Sequence, residues 1–194
     1  FHEGGERQNE SFDNARQAFE IACKQKPDFI LMAGDIFDIP LPSPETLLKA
    51  FDIFSISKSQ PKSSVSIKVE QKGVLEEFEF EGIPVLTIHG THEYRSIGQT
   101  NILELFDSSG YLCYLKMNKA IIESNGETVC IHGFSGVPEK KSLDVLRLLN
   151  PTPLQNAANI LVMHQSITEF LPFADDMTAT ISLANLPREF DLGV

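Results

Sequence analysis

Apolar positions follow two different periods along the chain, which predicts a domain built from both helices and strands. Over residues 12–26 they recur at spacings of three and four, as on one face of an amphipathic helix, and Pro27 ends the pattern. The continuous apolar run at 29–33 then predicts a strand buried on both faces.

Ser43 marks the start of a second helix, because a serine N-cap followed by a proline is a typical helix beginning. This helix is expected to turn four side chains inward: Leu47, Leu48, Phe51 and Phe54. Residues 57–81 differ in character, with two short alternating stretches on either side of Gly73. They predict a β-hairpin or loop inserted into the domain.

The second half of the chain continues the mixture of elements. Asn125-Gly126 between two apolar stretches is a strong hairpin signal. Apolar patterns predict further strands at 84–88, 111–115, 160–163 and 191–194, and helices at 100–107 and 139–149. The fold class is therefore α/β, a single domain over residues 1–194 with central mixed sheets flanked by helices.

The composition is that of an ordinary folded domain, with 42% hydrophobic and 22% charged residues. Its 16 basic and 27 acidic residues give a net charge of -11. Proteins that bind nucleic acid mainly through its phosphates usually carry a net positive charge instead. Bound divalent metals could still supply local positive charge. No apolar run approaches the roughly 20 residues of a membrane span, and three cysteines without a CxxC pair do not predict a disulfide framework.

Polar side chains that can bind metals follow three of the predicted strands, and a histidine precedes the first helix. In chain order they are His2, Asp35, Thr91, His92, Glu93 and His164. The carboxyl ends of strands are where ligands bind in open α/β sheets, so these side chains are expected to meet. Carboxylate and imidazole without thiolate favour manganese, magnesium, iron or zinc.

Each of these residues also has a structural interpretation. An aspartate after a strand is often a turn former, and a lone histidine is often a buried structural residue. His89 and His132, which precede glycines on strands, are interpreted in that way. The ordered combination of all the motifs favours a metal-supported site instead.

Three motifs carry a resemblance to a known family: Gly34-Asp35-Ile36-Phe37-Asp38, Gly90-Thr91-His92-Glu93 and Met163-His164-Gln165. They resemble the GD-x-[FL]-x, GNH[DE] and HQ blocks of calcineurin-like metallophosphoesterases. The stretches 27–31, 42–47 and 133–138 are more closely similar to the double-strand-break repair nucleases of the meiotic-recombination-eleven/SbcD type. The resemblance covers most of the chain except 57–81, and it implies a four-layer sandwich.

The resemblance also implies roles for individual residues. His2 would bind the first of two metal ions and Asp35 would bridge both, while Thr91 and His164 would bind the second. His92 would stabilise the leaving oxygen, with Glu93 orienting it.

Three departures from the family pattern stand out. The aspartate of the opening D-x-H block would lie before Phe1, and the closing G-H-x-H block would lie after Val194. Both fit a chain truncated at its two ends, and the fragment alone is expected to be inactive. Thr91 replaces the family asparagine and weakens the expectation of a second metal.

The function that the resemblance implies is metal-dependent phosphodiester hydrolysis, by a DNA exo/endonuclease acting at ends in double-strand-break repair. The implied cofactors are two divalent ions, Mn²⁺ or alternatively Mg²⁺. The implied partners are DNA, an SMC-like ABC ATPase of the SbcC type and a second copy of the chain, with no membrane. The implied location is the cytoplasm, at the prokaryotic nucleoid, or the nucleus. Two alternatives stay open: a small-molecule phosphodiesterase or phosphatase, and a non-catalytic DNA-end-binding subunit with a degenerate metal centre.

Overall fold

Two β-sheets lie face to face at the centre of the structure, a computed structural model that describes residues 1, 8–71, 73–96, 98–172 and 180–194. His2 lies outside the described residues. The helices are α1 Gln8–Lys24, α2 Pro44–Lys58, α3 Ile102–Ser108 and α4 Glu139–Leu149, with short 3₁₀ helices at Thr168–Phe170 and Leu183–Asn185. The strands are β1 Ile30–Met32, β2 Ser66–Gln71, β3 Val74–Glu77, β4 Val85–Thr87, β5 Cys113–Tyr114, β6 Lys119–Ser124, β7 Glu127–Phe134, β8 Ala158–Met163 and β9 Leu192–Gly193.

The smaller sheet has three parallel strands in the order β1-β4-β5. The larger sheet has six strands in the order β3-β2-β6-β7-β8-β9 and mixes both directions. Its β6–β7 hairpin turns at Asn125-Gly126, as the sequence predicted, and α4 connects the parallel pair β7 and β8. The expected class of mixed sheets flanked by helices is confirmed.

Three apolar cores separate four layers. The first core packs α1, α2 and α3 against the small sheet through phenylalanine side chains that include Phe19, Phe54 and Phe106. The second fills the space between the two sheets, and the third packs α4 against the outer face of the large sheet. The order helix–sheet–sheet–helix is the four-layer sandwich that the resemblance implied.

The second helix begins as its sequence predicted, and three of the four side chains expected inside, Leu47, Phe51 and Phe54, pack against the first core. The Ser43 hydroxyl accepts the N–H of Thr46 at 3.3 Å and so caps α2. Leu48 was expected inside, and that expectation is wrong because its side chain is 66% exposed. Ala50 and Ile53 are buried in its place, since they face the aromatic rings of the first core.

Two further regions show how context modifies the local pattern. The run at 29–33 forms β1 at the edge of the small sheet and is half-buried, because no strand covers its outer edge. Both of its faces are packed as predicted: Ile30 and Met32 contact the first core, and the side chains at 29, 31 and 33 contact the second. Around Gly73, β2 and β3 form an antiparallel hairpin, and β2 pairs with β6 of the large sheet. That residues 57–81 are an insertion, and that the chain is a single domain, stay predictions.

Candidate metal centre

Asp35 and His164 meet where strands from both sheets end. Asp35 follows β1 of the small sheet, whereas His164 follows β8 of the large sheet. The Asp35 Oδ2 atom lies 3.3 Å from His164 Nε2 and 3.8 Å from His92 Nε2. The expectation that these strand ends converge is therefore met for the three side chains.

Backbone carbonyls fix how the two imidazole rings face the carboxylate. His164 Nδ1 lies 2.8 Å from the carbonyl oxygen of Ala33, and His92 Nδ1 lies 3.2 Å from that of Asp38. A carbonyl oxygen can only accept, so each Nδ1 carries the proton. In the neutral ring each Nε2 then presents a lone pair toward Asp35, which is the orientation that a metal-binding histidine needs.

Two glycines let the loops approach closely enough to bring these groups together. A Cβ on Gly90 would lie 2.0 Å from Asp35 Oδ1, and a Cβ on Gly34 would lie 2.8 Å from the backbone nitrogen of Gly90. Asp35 itself has φ +50°, in the left-handed region that few side chains other than Asn and Asp adopt. The Gly34-Asp35 turn is thus shaped to hold its carboxylate in one place.

Glu93 is a buried carboxylate that joins two loops, and its role in orienting His92 stays a prediction. It is fully buried, and its two carboxylate oxygens accept the N–H groups of Phe37 at 2.6 Å and Gly90 at 2.9 Å. Burial raises the pKa of Glu93, and the two N–H donors oppose that rise. Its hydrogen bonds join the two loops, while the Asp38 carbonyl, not Glu93, contacts the ring of His92.

Thr91 lies at the rim of a cavity of about 370 Å³ whose lining also includes His164 and Gln165. The residue is exposed, and its carbonyl oxygen accepts the N–H of Tyr94 at 3.3 Å. A side chain in this place can face a ligand bound beside His164. Whether it binds a metal stays a prediction.

The donor set fits part of a divalent metal site. Among the described residues, no group of three or more His, Cys, Asp or Glu side chains has the geometry to hold an ion by itself. Asp35 and His164 supply a carboxylate and an imidazole whose lone pairs face the same space, a combination that suits manganese, magnesium, iron or zinc. His2, the fourth predicted ligand, lies outside the described residues.

The histidines interpreted as structural have their nitrogens occupied elsewhere. His89 is buried between the Tyr114 hydroxyl and the Gly136 carbonyl, and burial lowers its pKa to about 4. His132 Nε2 lies 3.2 Å from Cys130 Sγ in the larger sheet, away from Asp35. Both structural interpretations agree with these contacts.

Sequence reasoning missed three parts of the site. The carbonyls of Ala33 and Asp38 orient the histidines, but every residue carries a carbonyl, so no side-chain pattern marks them. Asn101 donates from Nδ2 to the Glu93 carbonyl at 2.8 Å, while its Oδ1 accepts the N–H of Leu103 and caps α3. An asparagine just before an apolar helical stretch could have signalled that cap.

Comparison with known proteins places this geometry in a family. The family model for calcineurin-like phosphoesterases matches residues 1–175. The chain belongs to the calcineurin-like phosphoesterase family. Membership implies dependence on divalent metal ions, in agreement with the donors that Asp35 and His164 supply.

Several archaeal proteins that are similar to this chain are named Mre11. The chain is 27% identical over 188 residues to the DNA double-strand break repair protein Mre11 of Sulfurisphaera tokodaii, covering 95% of the chain and 41% of that protein. It is 25% identical to the Mre11 protein of Saccharolobus solfataricus and 26% identical to that of Archaeoglobus fulgidus, covering 95% and 96% of the chain and 42% of each relative. The chain thus spans about two fifths of the length of these relatives. Its described helices include none with the length and apolar character that crossing a membrane requires.

Proposed function

We propose that this chain belongs to a metal-dependent phosphodiesterase that cleaves DNA at or near ends during double-strand-break repair. The observation that carries the proposal is the position of Asp35 between His92 and His164, with both rings held by backbone carbonyls. The similarity to proteins named Mre11 supports DNA as the substrate.

Two divalent ions, Mn²⁺ or alternatively Mg²⁺, would be held by Asp35, His164, Thr91 and His2. When bound, such ions neutralise charge on a phosphate and make a water molecule acidic enough to attack phosphorus. Asp35 contributes a carboxylate that can bridge the ions. His164, fixed by the Ala33 carbonyl, offers Nε2 without first having to rotate.

His92 has the geometry of a group that acts on the leaving oxygen. Its side chain is 57% exposed, so Nε2 can reach a substrate, while Nδ1 stays on the Asp38 carbonyl. A protonated ring can donate from Nε2 to an oxygen that departs with negative charge. Glu93 acts at a distance by holding the Asp35 loop against the Gly90 loop.

The exposed apolar side chains of α2 and α3 support the proposal of a homodimer. Leu48 is 66% exposed and Leu105 is 42% exposed, although both follow helical patterns. The two helices pack together through Phe51 and Phe106, whose ring centroids lie 4.2 Å apart. A second copy covering this face would remove both leucines from water. An SMC-like ATPase partner and a location in the nucleoid or nucleus follow from the relatives and stay proposals.

A substrate panel with the full-length protein tests the proposal. Linear duplex DNA, single-stranded DNA, cyclic nucleotides and bis-p-nitrophenyl phosphate are incubated with Mn²⁺, Mg²⁺ or a chelator. We expect Mn²⁺-dependent cleavage of linear DNA that His92→Ala removes. Hydrolysis of the small esters without DNA cleavage would favour a small-molecule phosphodiesterase. DNA-end binding without hydrolysis of any substrate would favour the non-catalytic alternative. That alternative is supported by Thr91, which replaces the asparagine ligand of the family.

A further inference from the structure

A second cavity of about 370 Å³, the basic cavity, opens beside the candidate metal centre. It lies between the segment that follows His92 and the start of α4. The residues of its lining that matter for a ligand are Tyr94, Arg95, Lys116, Pro138, Lys141 and Val145.

The charged side chains that line the basic cavity are all cations. Three of its lining residues are cations, and none of the described lining residues is acidic, in a chain whose net charge is -11. Arg95 and Lys141 form no ion pair with the described residues, and Lys116 meets Glu104 only at the exposed rim, at 3.3 Å. The Arg95 Nε atom is buried and has no hydrogen-bond partner among the described residues. Because a buried donor without an acceptor is costly, a shift of the Arg95 side chain toward an anion in the cavity would also relieve this unpaired atom.

The other wall of the cavity is apolar and contains one aromatic ring. Tyr94, Pro138 and Val145 line it, together with Val137. A ligand that fits both walls carries a negative charge at one end and a flat apolar group at the other. A nucleotide has this combination, because its phosphate can pair with guanidinium and ammonium groups while its base stacks on a side chain.

Two short connections join the basic cavity to the candidate metal centre. The Tyr94 N–H donates to the carbonyl of Thr91, which lines the cavity beside His164. The Val137 carbonyl accepts from Gln165 Nε2 at 3.3 Å, and Gln165 lines that same cavity. The basic cavity is therefore adjacent to the cavity beside His164.

We propose that the basic cavity binds a nucleotide next to the scissile phosphate, with Arg95 and Lys141 on its phosphate and Tyr94 against its base. The inference rests on the proposed phosphodiesterase function and adds to it a preference for unpaired nucleotides. A base paired within a duplex would have to leave its stack to lie against Tyr94. The nucleotide can come from a DNA strand or from solution, and the experiment separates these two sources.

The test measures binding of two probes to the full-length protein in the presence of a chelator, so that no cleavage occurs. The probes are a fluorescein-labelled oligothymidylate, followed by anisotropy over a salt series, and free thymidine 5′-monophosphate, followed by calorimetry. Arg95→Gln and Lys141→Gln each lose about tenfold in affinity for the oligonucleotide. Each also lowers the slope of log affinity against log salt by about 0.7, the value for one lost phosphate contact on a single strand.

Lys140→Gln is the matched control, because Lys140 is an exposed lysine beside Lys141 on α4 and lies outside the cavity lining. It should change neither the affinity nor the slope. Weakened binding of the free nucleotide in the Arg95 and Lys141 variants would assign the site to nucleotides from solution as well as to strands. Loss confined to the oligonucleotide would assign it to strands alone.

Oligonucleotide binding by both variants equal to that of Lys140→Gln would overturn the inference. If the unmodified protein still cleaved DNA in that case, the proposed function would stand without the basic cavity. Conversely, Arg95-dependent nucleotide binding by a protein that hydrolyses no phosphodiester would leave the cavity in place and remove the proposed function. Because Arg95 and Lys141 lie on different elements, a folding defect in one variant leaves the other as a test.

Discussion

Glu93 accepts a hydrogen bond from the backbone N–H of Phe37 at 2.6 Å, and this contact ties the loop that carries His92 to the loop that carries Asp35. The other carboxylate oxygen of Glu93 accepts the N–H of Gly90. One buried side chain thus fixes the distance between two strand ends of the small sheet. The relative position of the proposed ligand and the proposed catalytic histidine depends on it.

Replacing Glu93 with glutamine should destabilise the protein and weaken metal binding together. An amide has one acceptor oxygen, so the N–H of either Phe37 or Gly90 would face the NH₂ group without an acceptor. A lost buried hydrogen bond of this kind costs about 1–3 kcal/mol. Urea unfolding and Mn²⁺ titration of Glu93→Gln measure the two effects, with Glu20→Gln on the exposed side of α1 as the control. Unchanged metal affinity in a less stable Glu93→Gln protein would reduce Glu93 to a purely structural residue.

His92→Ala should abolish cleavage by the full-length protein while leaving its metal content nearly unchanged. A group that protonates or stabilises a leaving oxygen contributes about 10²–10⁴-fold in rate. His164→Ala, in contrast, should reduce the bound metal, since its Nε2 faces Asp35 with a fixed lone pair. Inductively coupled plasma analysis of both variants decides between the roles. A full metal equivalent lost from His92→Ala would make His92 a ligand.

Thr91→Asn should lower the Mn²⁺ concentration that gives half-maximal cleavage. Threonine offers a neutral hydroxyl close to the backbone, and its branched Cβ restricts χ1, so it cannot extend toward an ion. Asparagine offers a carbonyl oxygen with a longer reach. Thr152→Asn makes the same exchange at an exposed position outside the cavity that Thr91 and His164 line, and it should have no effect. Calorimetric titration that finds two equally tight sites in the unmodified protein would contradict a weak second site.

Gly90→Ala should separate the two loops and remove activity. The added methyl group would lie 2.0 Å from Asp35 Oδ1 and 2.5 Å from the Asp35 backbone nitrogen, so the turn at Asp35 must move. Forcing extra atoms into a packed site costs about 1–3 kcal/mol. Gly193→Ala is the control, because nothing lies within 4 Å of its added Cβ. Thermal unfolding and a cleavage assay of both variants compare the two positions.

Lowering the pH should destabilise the protein through His132. Burial lowers the pKa of His132, and the neighbouring Lys119 adds to this effect. The unfolded chain therefore takes up a proton as the pH falls below about 6.5, while the folded chain resists it, so stability is lost in that range and is fully present above it. His132→Gln should show a smaller loss of unfolding free energy between neutral and mildly acidic pH. Parallel pH profiles for the two proteins would exclude His132 as a source of the acid sensitivity.

The sequence predicted the fold well where a pattern is local. The cap at Ser43 and the turn at Asn125-Gly126 depend on a few adjacent residues, and both lie where they were expected. The buried face of α2 was predicted less well, because Leu48 and Ala50 differ in burial only through the rings that pack against the helix. The spacing of apolar residues within one helix does not show which distant residues pack against it.

The candidate site shows the same division. Asp35 and His164 were predicted as neighbours because strand ends converge in α/β sheets, and the structure places them 3.3 Å apart. The partner of Glu93 was not predictable, since its choice between the His92 ring and the Phe37 N–H depends on how two loops pack. Backbone acceptors such as the Ala33 carbonyl have no sequence signature at all.

Asp35 and His164 are carried by different sheets, and the apolar core between those sheets is what aligns them. Neither sheet holds both groups, so a folding intermediate with only one sheet assembled would lack the paired donors. The proposed metal site is therefore complete only when the two halves of the sandwich have docked. The rate of metal binding during refolding would therefore report the rate of that docking step, separately from the earlier formation of helices and hairpins.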